Sequence, residues 1–147
     1  MSESYYNNQG LLERLETNGE ITSYTYNAKN QLLSMTLPNG STTSYTYTFD
    51  GKEATVTDGN GGVTQSIYDK KGQLIKTIDP LGNVTQTVYD ANGNIIEKID
   101  PLGQSERTEY DVLNRVIEQT DKNGNKVTQT YNEWNQPLVI TLPNNTT

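Results

Sequence analysis

Acidic side chains are the residues most able to do chemistry in this sequence. Asp69, Asp90 and Asp111 form one column at a spacing of 21 residues, and Asp58, Asp79, Asp100 and Asp121 form another. Two carboxylates held about 5 Å apart, or about 7–9 Å apart with a water between them, could carry out acid–base hydrolysis. An active site is singular, however, whereas these columns recur with no distinguished pair. Asp at strand ends and turns also accepts backbone hydrogen bonds, and that is the preferred reading here. The loops from Asp90 to Asn94 and from Asp121 to Asn125 resemble calcium loops in their oxygen content. A calcium-binding loop of the EF-hand type needs Gly at its sixth position and Glu at its twelfth, but here Gly is fourth, so Asn-Gly reads as a hairpin turn. The chain has no His and no Cys. The commonest general base, thiolate metal sites and disulfides are therefore excluded, and the many Ser and Thr have no activating partner. No catalytic residue, cofactor or metal is expected. Trp134 is the sole Trp and, with Tyr131, Tyr110 and Tyr89, offers aromatic faces that could bind a ligand such as a glycan. Packing of the tyrosines on one another and capping of an open sheet end by Trp134 account for the same residues.

The elements that position these side chains follow from a repeat. Tyr5, Tyr26, Tyr47, Tyr68, Tyr89, Tyr110 and Tyr131 lie 21 residues apart, which predicts one array of about seven units over residues 1–147, the last incomplete. The fifteenth position of each unit is Gly19, Gly40, Gly61, Gly82, Gly103 and Gly124, then Asn145. The fifth is Asn30, Gly51, Gly72, Gly93, Asn114 and Asn135, with Gln9 as the exception. Gly and Asn tolerate positive φ, so both columns read as turns, giving two turns and two strands per unit. One strand carries an apolar doublet: Leu11-Leu12, Leu32-Leu33, Leu74-Ile75, Ile95-Ile96 or Val116-Ile117. The other is polar and β-prone, as in Val84 to Tyr89. Only Leu11 to Glu16 looks helical in isolation, and the repeat register assigns it to a strand. The expected fold is all-β, with tandem hairpin repeats forming a continuous antiparallel ribbon. Each unit would advance the sheet by roughly 9.6 Å, and seven units by about 65 Å. Tyrosines two residues apart, such as Tyr24 and Tyr26, would share a face and form ladders along the ribbon.

Composition agrees. An apolar content of 31% is well below the roughly 45–50% of ordinary soluble folds, so a conventional closed core is not expected. A net charge of −7 with no basic cluster argues against nucleic acid as a partner. No segment has the length and apolarity of a membrane span, and the start of the chain lacks the features of a secretory leader, so any export signal would lie outside it. Asn144 to Thr146 is a glycosylation-type triplet, relevant in a eukaryotic source.

Tyr68-Asp69-Lys70-Lys71-Gly72-Gln73-Leu74, Tyr89-Asp90-Ala91-Asn92-Gly93-Asn94-Ile95 and Tyr110-Asp111-Val112-Leu113-Asn114-Arg115-Val116 resemble the YD repeat of RHS proteins. That repeat runs Tyr-Asp, two residues, Gly, one residue and an aliphatic, and Gly82, Gly103 and Gly124 fit its second turn. Asn27, Thr48 and Asn132 replace Asp in other units. The resemblance implies a long β-ribbon that spirals into a hollow shell, as in bacterial RHS and wall-associated toxins, the C components of insecticidal toxin complexes and the teneurins. It also implies a secreted or cell-surface bacterial setting. Implied partners are neighbouring repeats of a longer chain or further copies of this one, a toxin cargo, or a glycan. Family shells end in a self-cleavage motif, Asp-Pro-x-Gly-Leu-x-Gly-Gly. Asp79-Pro80-Leu81-Gly82 and Asp100-Pro101-Leu102-Gly103 share only its first half and read as turns. The expected function is a non-catalytic structural and interaction module, with carbohydrate binding as the alternative.

Overall fold

A computed structural model describes residues 1–142 as strands and turns. Asn144, Asn145 and Thr146 therefore lie outside the described residues. Fourteen strands form one antiparallel sheet in which spatial order follows chain order from first to last. They are β1 (Ser2–Tyr6), β2 (Leu12–Thr17), β3 (Glu20–Tyr26), β4 (Leu32–Thr36), β5 (Thr42–Tyr47), β6 (Glu53–Thr57) and β7 (Val63–Tyr68). The second seven are β8 (Leu74–Ile78), β9 (Val84–Tyr89), β10 (Ile95–Ile99), β11 (Ser105–Tyr110), β12 (Val116–Thr120), β13 (Lys126–Tyr131) and β14 (Pro137–Thr141). The sheet does not close on itself, because β1 and β14 each have one neighbour. By compactness the chain divides into two units, residues 1–67 with 78–82 and residues 68–77 with 83–147.

Eleven of the thirteen connections show the same pair of backbone bonds, and the turn from Asp79 shows the closing one. The first residue of the turn donates its backbone N–H to the carbonyl four residues on, and the fourth donates back to the first, as in Asp90 N–H to Asn94 at 2.9 Å and Gly93 N–H to Asp90 at 3.2 Å. The fourth residue has positive φ: +94° at Gly93 and +60° at Asn114. This is a type I turn closed by a left-handed residue, the three-residue hairpin loop that follows the two-residue loops in frequency. The exception is the turn between β2 and β3, where Thr17 pairs with Glu20 around Asn18 (φ +54°) and Gly19 (φ +85°). Two positive φ values in succession define a two-residue type I′ turn.

That short turn shifts the phase of the first unit. Tyr6 opposes Leu12 as Tyr26 opposes Leu32 and Tyr110 opposes Val116, so Tyr6, not Tyr5, is the counterpart of the later tyrosines. Gly10, not Gln9, then takes the left-handed position, with φ +78°. The constant spacing from Tyr5 conceals a missing turn residue because two adjacent tyrosines stand at the start. Leu11 accordingly precedes β2, and the pair equivalent to the later aliphatic doublets is Leu12-Glu13.

A β-bulge recurs beside Tyr6, Tyr26, Tyr47, Tyr89, Tyr110 and Tyr131. Between Tyr26↔Leu32 and Thr25↔Ser34 the second strand has one extra residue, Leu33. Ala54, Ile96, Ile117 and Leu138 are the extra residues in β6, β10, β12 and β14. Bulges strengthen local right-handed twist, so each of these hairpins is twisted at the same place.

No described residue is fully buried. The surface area is 10151 Å² for a 16.4 kDa chain, against roughly 7,500 Å² for a globular monomer of that mass. The excess means that burial across a closed core is not what holds the strands together. Backbone ladders and side-chain contacts between neighbouring hairpins must do it.

Candidate functional site

Three side-chain positions recur as polar machinery. The first is the residue after the tyrosine. Asp90 Oδ1 accepts the N–H groups of Asn92 and Asn94, both at 2.9 Å, and Asp111 Oδ1 accepts those of Leu113 and Arg115 at 2.9 and 3.0 Å. Asp69 does the same with Lys71 and Gln73. Asp58, Asp100 and Asp121 repeat the arrangement at the opposite turns. Type I turn geometry leaves the third and fifth amides pointing at the first side chain, and one oxygen serves both. Both Asp columns are therefore turn caps. Asn27 and Asn132 make the same bonds, and Thr48 Oγ1 accepts the Lys52 N–H at 3.0 Å.

Electrostatics follow from this geometry. A bond from Asn94 lowers the pKa of Asp90, and a bond from Asn125 lowers that of Asp121. Lys122, 2.9 Å away, lowers that of Asp100, and Arg115 lowers that of Asp111. Lys52 and Thr48 together bring Asp50 to about 2. Every one of these carboxylates is stabilised as an anion, the opposite of the upward shift that equips a carboxyl to act as a general acid at neutral pH.

The second position is the tyrosine. Tyr26, Tyr47, Tyr110 and Tyr131 donate their hydroxyls to the backbone carbonyls of Leu12, Leu32, Ile95 and Val116, at 2.7, 2.7, 3.1 and 2.8 Å, and Tyr89 reaches Leu74 at 3.0 Å. Each acceptor opens the second strand of the preceding hairpin. The interaction recurring along the array is thus hydroxyl to carbonyl, linking one hairpin to the one before. Burial and nearby Glu53 raise the Tyr47 pKa, which keeps its phenol a donor.

The third position was not singled out by sequence reasoning. The residue after the left-handed one reaches forward to the next tyrosine-side turn. Gln31 Nε2 donates to the Gly51 carbonyl at 2.7 Å, Asn94 Nδ2 to Asn114 Oδ1 at 2.8 Å, and Arg115 Nη1 to Asn135 Oδ1 at 2.8 Å. Gln73 Nε2 lies 3.3 Å from where a β-carbon on Gly93 would sit, as Gln31 Nε2 does at Gly51. Where the left-handed residue is Asn its side chain becomes the acceptor, and where it is Gly the backbone carbonyl does. The only signal in the sequence is a column of polar residues, Gln31, Lys52, Gln73, Asn94, Arg115 and Gln136.

The structure brings Asp90, Tyr110 and Asp111 to one open groove of about 600 Å³, with Ile96, Glu97 and Arg107 in its walls. Arg107 is paired there with Glu97 at 3.0 Å. Tyr131 is elsewhere, its ring 4.4 Å beneath the Arg115 guanidinium. Trp134 stands at the tip of the turn between β13 and β14, 72% exposed. Gly72, Gly82, Gly93, Gly103 and Gly124 are all left-handed turn residues, with φ between +79° and +94°. Asp79 and Asp100 likewise begin ordinary turns, closed by Gly82 and Gly103 N–H bonds at 3.0 and 2.9 Å. Among the described residues no three acidic side chains converge as a metal would require, and no helix is long and apolar enough to cross a membrane.

No curated protein matches the chain by sequence. Among solved structures it is similar to the TcdB2–TccC3–Cdc42 complex, with a TM-score of 0.75 at 18% identity, over 95% of this chain and 9% of that one. It is also similar to the Tc holotoxin pore of Photorhabdus luminescens carrying a TccC3 variant, at a TM-score of 0.73 and 20% identity with the same coverage. The TcdB2–TccC3 complex without its hypervariable C-terminal region scores 0.73 at 19% identity, again with the same coverage. At these identities the likeness is one of fold, and the chain spans about a tenth of the chains it matches. The RHS Repeat family model matches residues 6–42, 26–64, 68–105, 89–126 and 110–147. Its first match begins at Tyr6, where the structure begins the array, and by these matches the chain belongs to the RHS repeat family.

Proposed function

We propose that this chain is a non-catalytic structural and interaction module, a stretch of an RHS-type shell that encloses or presents a toxin. One observation carries the reading: the side chains that recur with the repeat are all engaged in building it. The capping Asp serves its own turn, the tyrosine hydroxyl serves the preceding hairpin, and the polar residue after the turn serves the following one. No member of any column differs from its neighbours as a catalytic residue would. A secreted or cell-surface bacterial setting and a toxin cargo come from the Tc complexes to which the fold is similar, and they are part of this proposal. So is the treatment of residues 1–142 as a single array.

Substituting this chain for an equal run of repeats in an RHS shell protein tests the reading. The enclosed passenger should remain resistant to added protease. Digestion of the passenger while the strands remain folded by circular dichroism would refute it. The exposed Trp134 ring favours the second reading, carbohydrate binding. A reproducible hit on a glycan array that disappears in Trp134→Ala would select that reading instead.

A further inference from the structure

Four turns on the tyrosine side of the second unit, at residues 69–72, 90–93, 111–114 and 132–135, stand in a row tied by side chains. Lys71 Nζ donates to the Ala91 carbonyl at 3.1 Å, Asn92 Nδ2 to Asn114 Oδ1 at 3.0 Å, and Arg115 Nη1 to Asn135 Oδ1 at 2.8 Å. The second and third residues of each turn form its tip. The first two tips are Lys70-Lys71 and Ala91-Asn92, and the last two carry Val112, Leu113 and Trp134, with Glu133. Val112 is 95% exposed and Leu113 61%, although a neighbouring turn flanks theirs on each side, so tip exposure is set by position within the turn. What lies under these apolar tips is uncharged as a whole. Arg115, 2.6 Å away, cancels the Asp111 carboxylate, and Asn132 stands in place of Asp beneath Trp134. Phe49, 99% exposed at a tip of the other unit, likewise follows a neutral cap, Thr48. Asp69 and Asp90, charged caps met by amide groups, carry the polar tips. The turn amides are satisfied as well. Of the five N–H groups from 132 to 136, four are bonded within the turn, and the same four positions are bonded from 111 to 115.

We propose that Val112, Leu113 and Trp134 seat this edge of the unit on the surface of a phospholipid bilayer with zwitterionic headgroups. Apolar side chains on a protruding edge partition into the headgroup boundary, which an indole spans with its ring in the apolar layer and its N–H in the wet one. Backbone entering that layer loses water as a partner, so the internal bonding of the turn amides removes most of the cost. Charge selects the lipid. With Asp111 and Arg115 cancelling and Asn132 neutral, Glu133 carries the formal charge left at the two tips, so anionic headgroups would repel them. Glu133 also limits depth, because its carboxylate has to stay hydrated. Attachment is therefore shallow and reversible. It rests on the tips, their caps and their exposure, and does not depend on the enclosing role.

Trp134, the sole Trp, reports on its own site. Synthetic phosphatidylcholine vesicles, which carry no sugar, should shift its emission to shorter wavelength, and lipids brominated on their tails should quench it. The double variant Val112→Asp, Leu113→Asp keeps the indole and should need at least tenfold more lipid for the same shift, with circular dichroism unchanged. Should that variant unfold, Trp134→Ala supplies the measurement: its co-sedimentation with the vesicles should fall severalfold. Emission unchanged at millimolar lipid would overturn the proposal, as would undiminished vesicle binding by the folded double variant or by Trp134→Ala. A shift that follows protein concentration instead of lipid would also overturn it and assign the tips to a contact between proteins.

Discussion

The capping Asp is the residue on which each turn depends, and what it needs is an oxygen in the right place. Asp69→Ala should cost about 1–2 kcal/mol, the sum of two modest hydrogen bonds. Asp69→Asn keeps Oδ1 and should stay within about 0.5 kcal/mol of the parent, as Asn27 and Asn132 already suggest. Urea unfolding of the two variants checks this. The same residues set the response to pH. Asp50, Asp90, Asp100, Asp111 and Asp121 are more acidic in the folded chain than the roughly 3.9 of an unfolded Asp. Their contribution is complete above that value and is lost as pH falls through the lowered ones, down to about 2 for Asp50. Lys122 and Lys126 are shifted upward by Asp100 and Glu118, so theirs is complete below the unfolded value of about 10.4 and lost above it. Melting temperature should be level through neutral pH and fall on both sides. At Asn18 the relevant chemistry is deamidation, in which the following amide nitrogen attacks the side-chain carbonyl and expels ammonia. Gly40, Gly61, Gly93 and Gly124 hold that nitrogen in a turn hydrogen bond, whereas the tight β2–β3 turn leaves Gly19 N–H without one. Peptide mapping after mild alkaline incubation should find Asn18 converted first among the Asn-Gly pairs Asn18, Asn39, Asn60, Asn92 and Asn123.

Between elements, two side-chain links per repeat join successive hairpins. Tyr110→Phe removes the bond to the Ile95 carbonyl and should cost about 1 kcal/mol, the worth of one hydrogen bond. Gln31→Ala should cost somewhat less, since its amide is only half shielded. Gly51→Ala imposes a side chain at φ +89°, with Gln31 Nε2 3.3 Å from the new β-carbon. Its cost should be about 1–2 kcal/mol from the left-handed conformation alone. Thermal melts distinguish these three losses. The strands and turns were legible in the sequence because positive φ restricts the turn columns to Gly and Asn, and because β-prone residues fill the intervals. The phase of the first unit was not legible: Tyr5 and Tyr6 are chemically identical candidates, and only pairing shows which opposes Leu12. The forward-reaching column was missed for a different reason. Gln, Asn and Arg share donor groups but neither length nor a one-letter pattern, and their target is a turn some 20 residues away.

For the molecule, the lack of a buried core among the described residues means that stability accumulates from contacts between neighbours. Tyr47→Phe and Tyr131→Phe, many strands apart, should therefore have additive effects to within about 0.5 kcal/mol. Coupling well beyond that would reveal long-range packing that the surface area of the chain argues against. The cap also bears on how such a chain can vary over generations. Because Asp, Asn and Thr all supply the oxygen a turn requires, substitutions among them alter net charge while leaving the backbone bonds intact. Architecture and surface charge are thus inherited as separate traits: a lineage can move from −7 toward neutrality, or further from it, one turn at a time without redrawing a single strand.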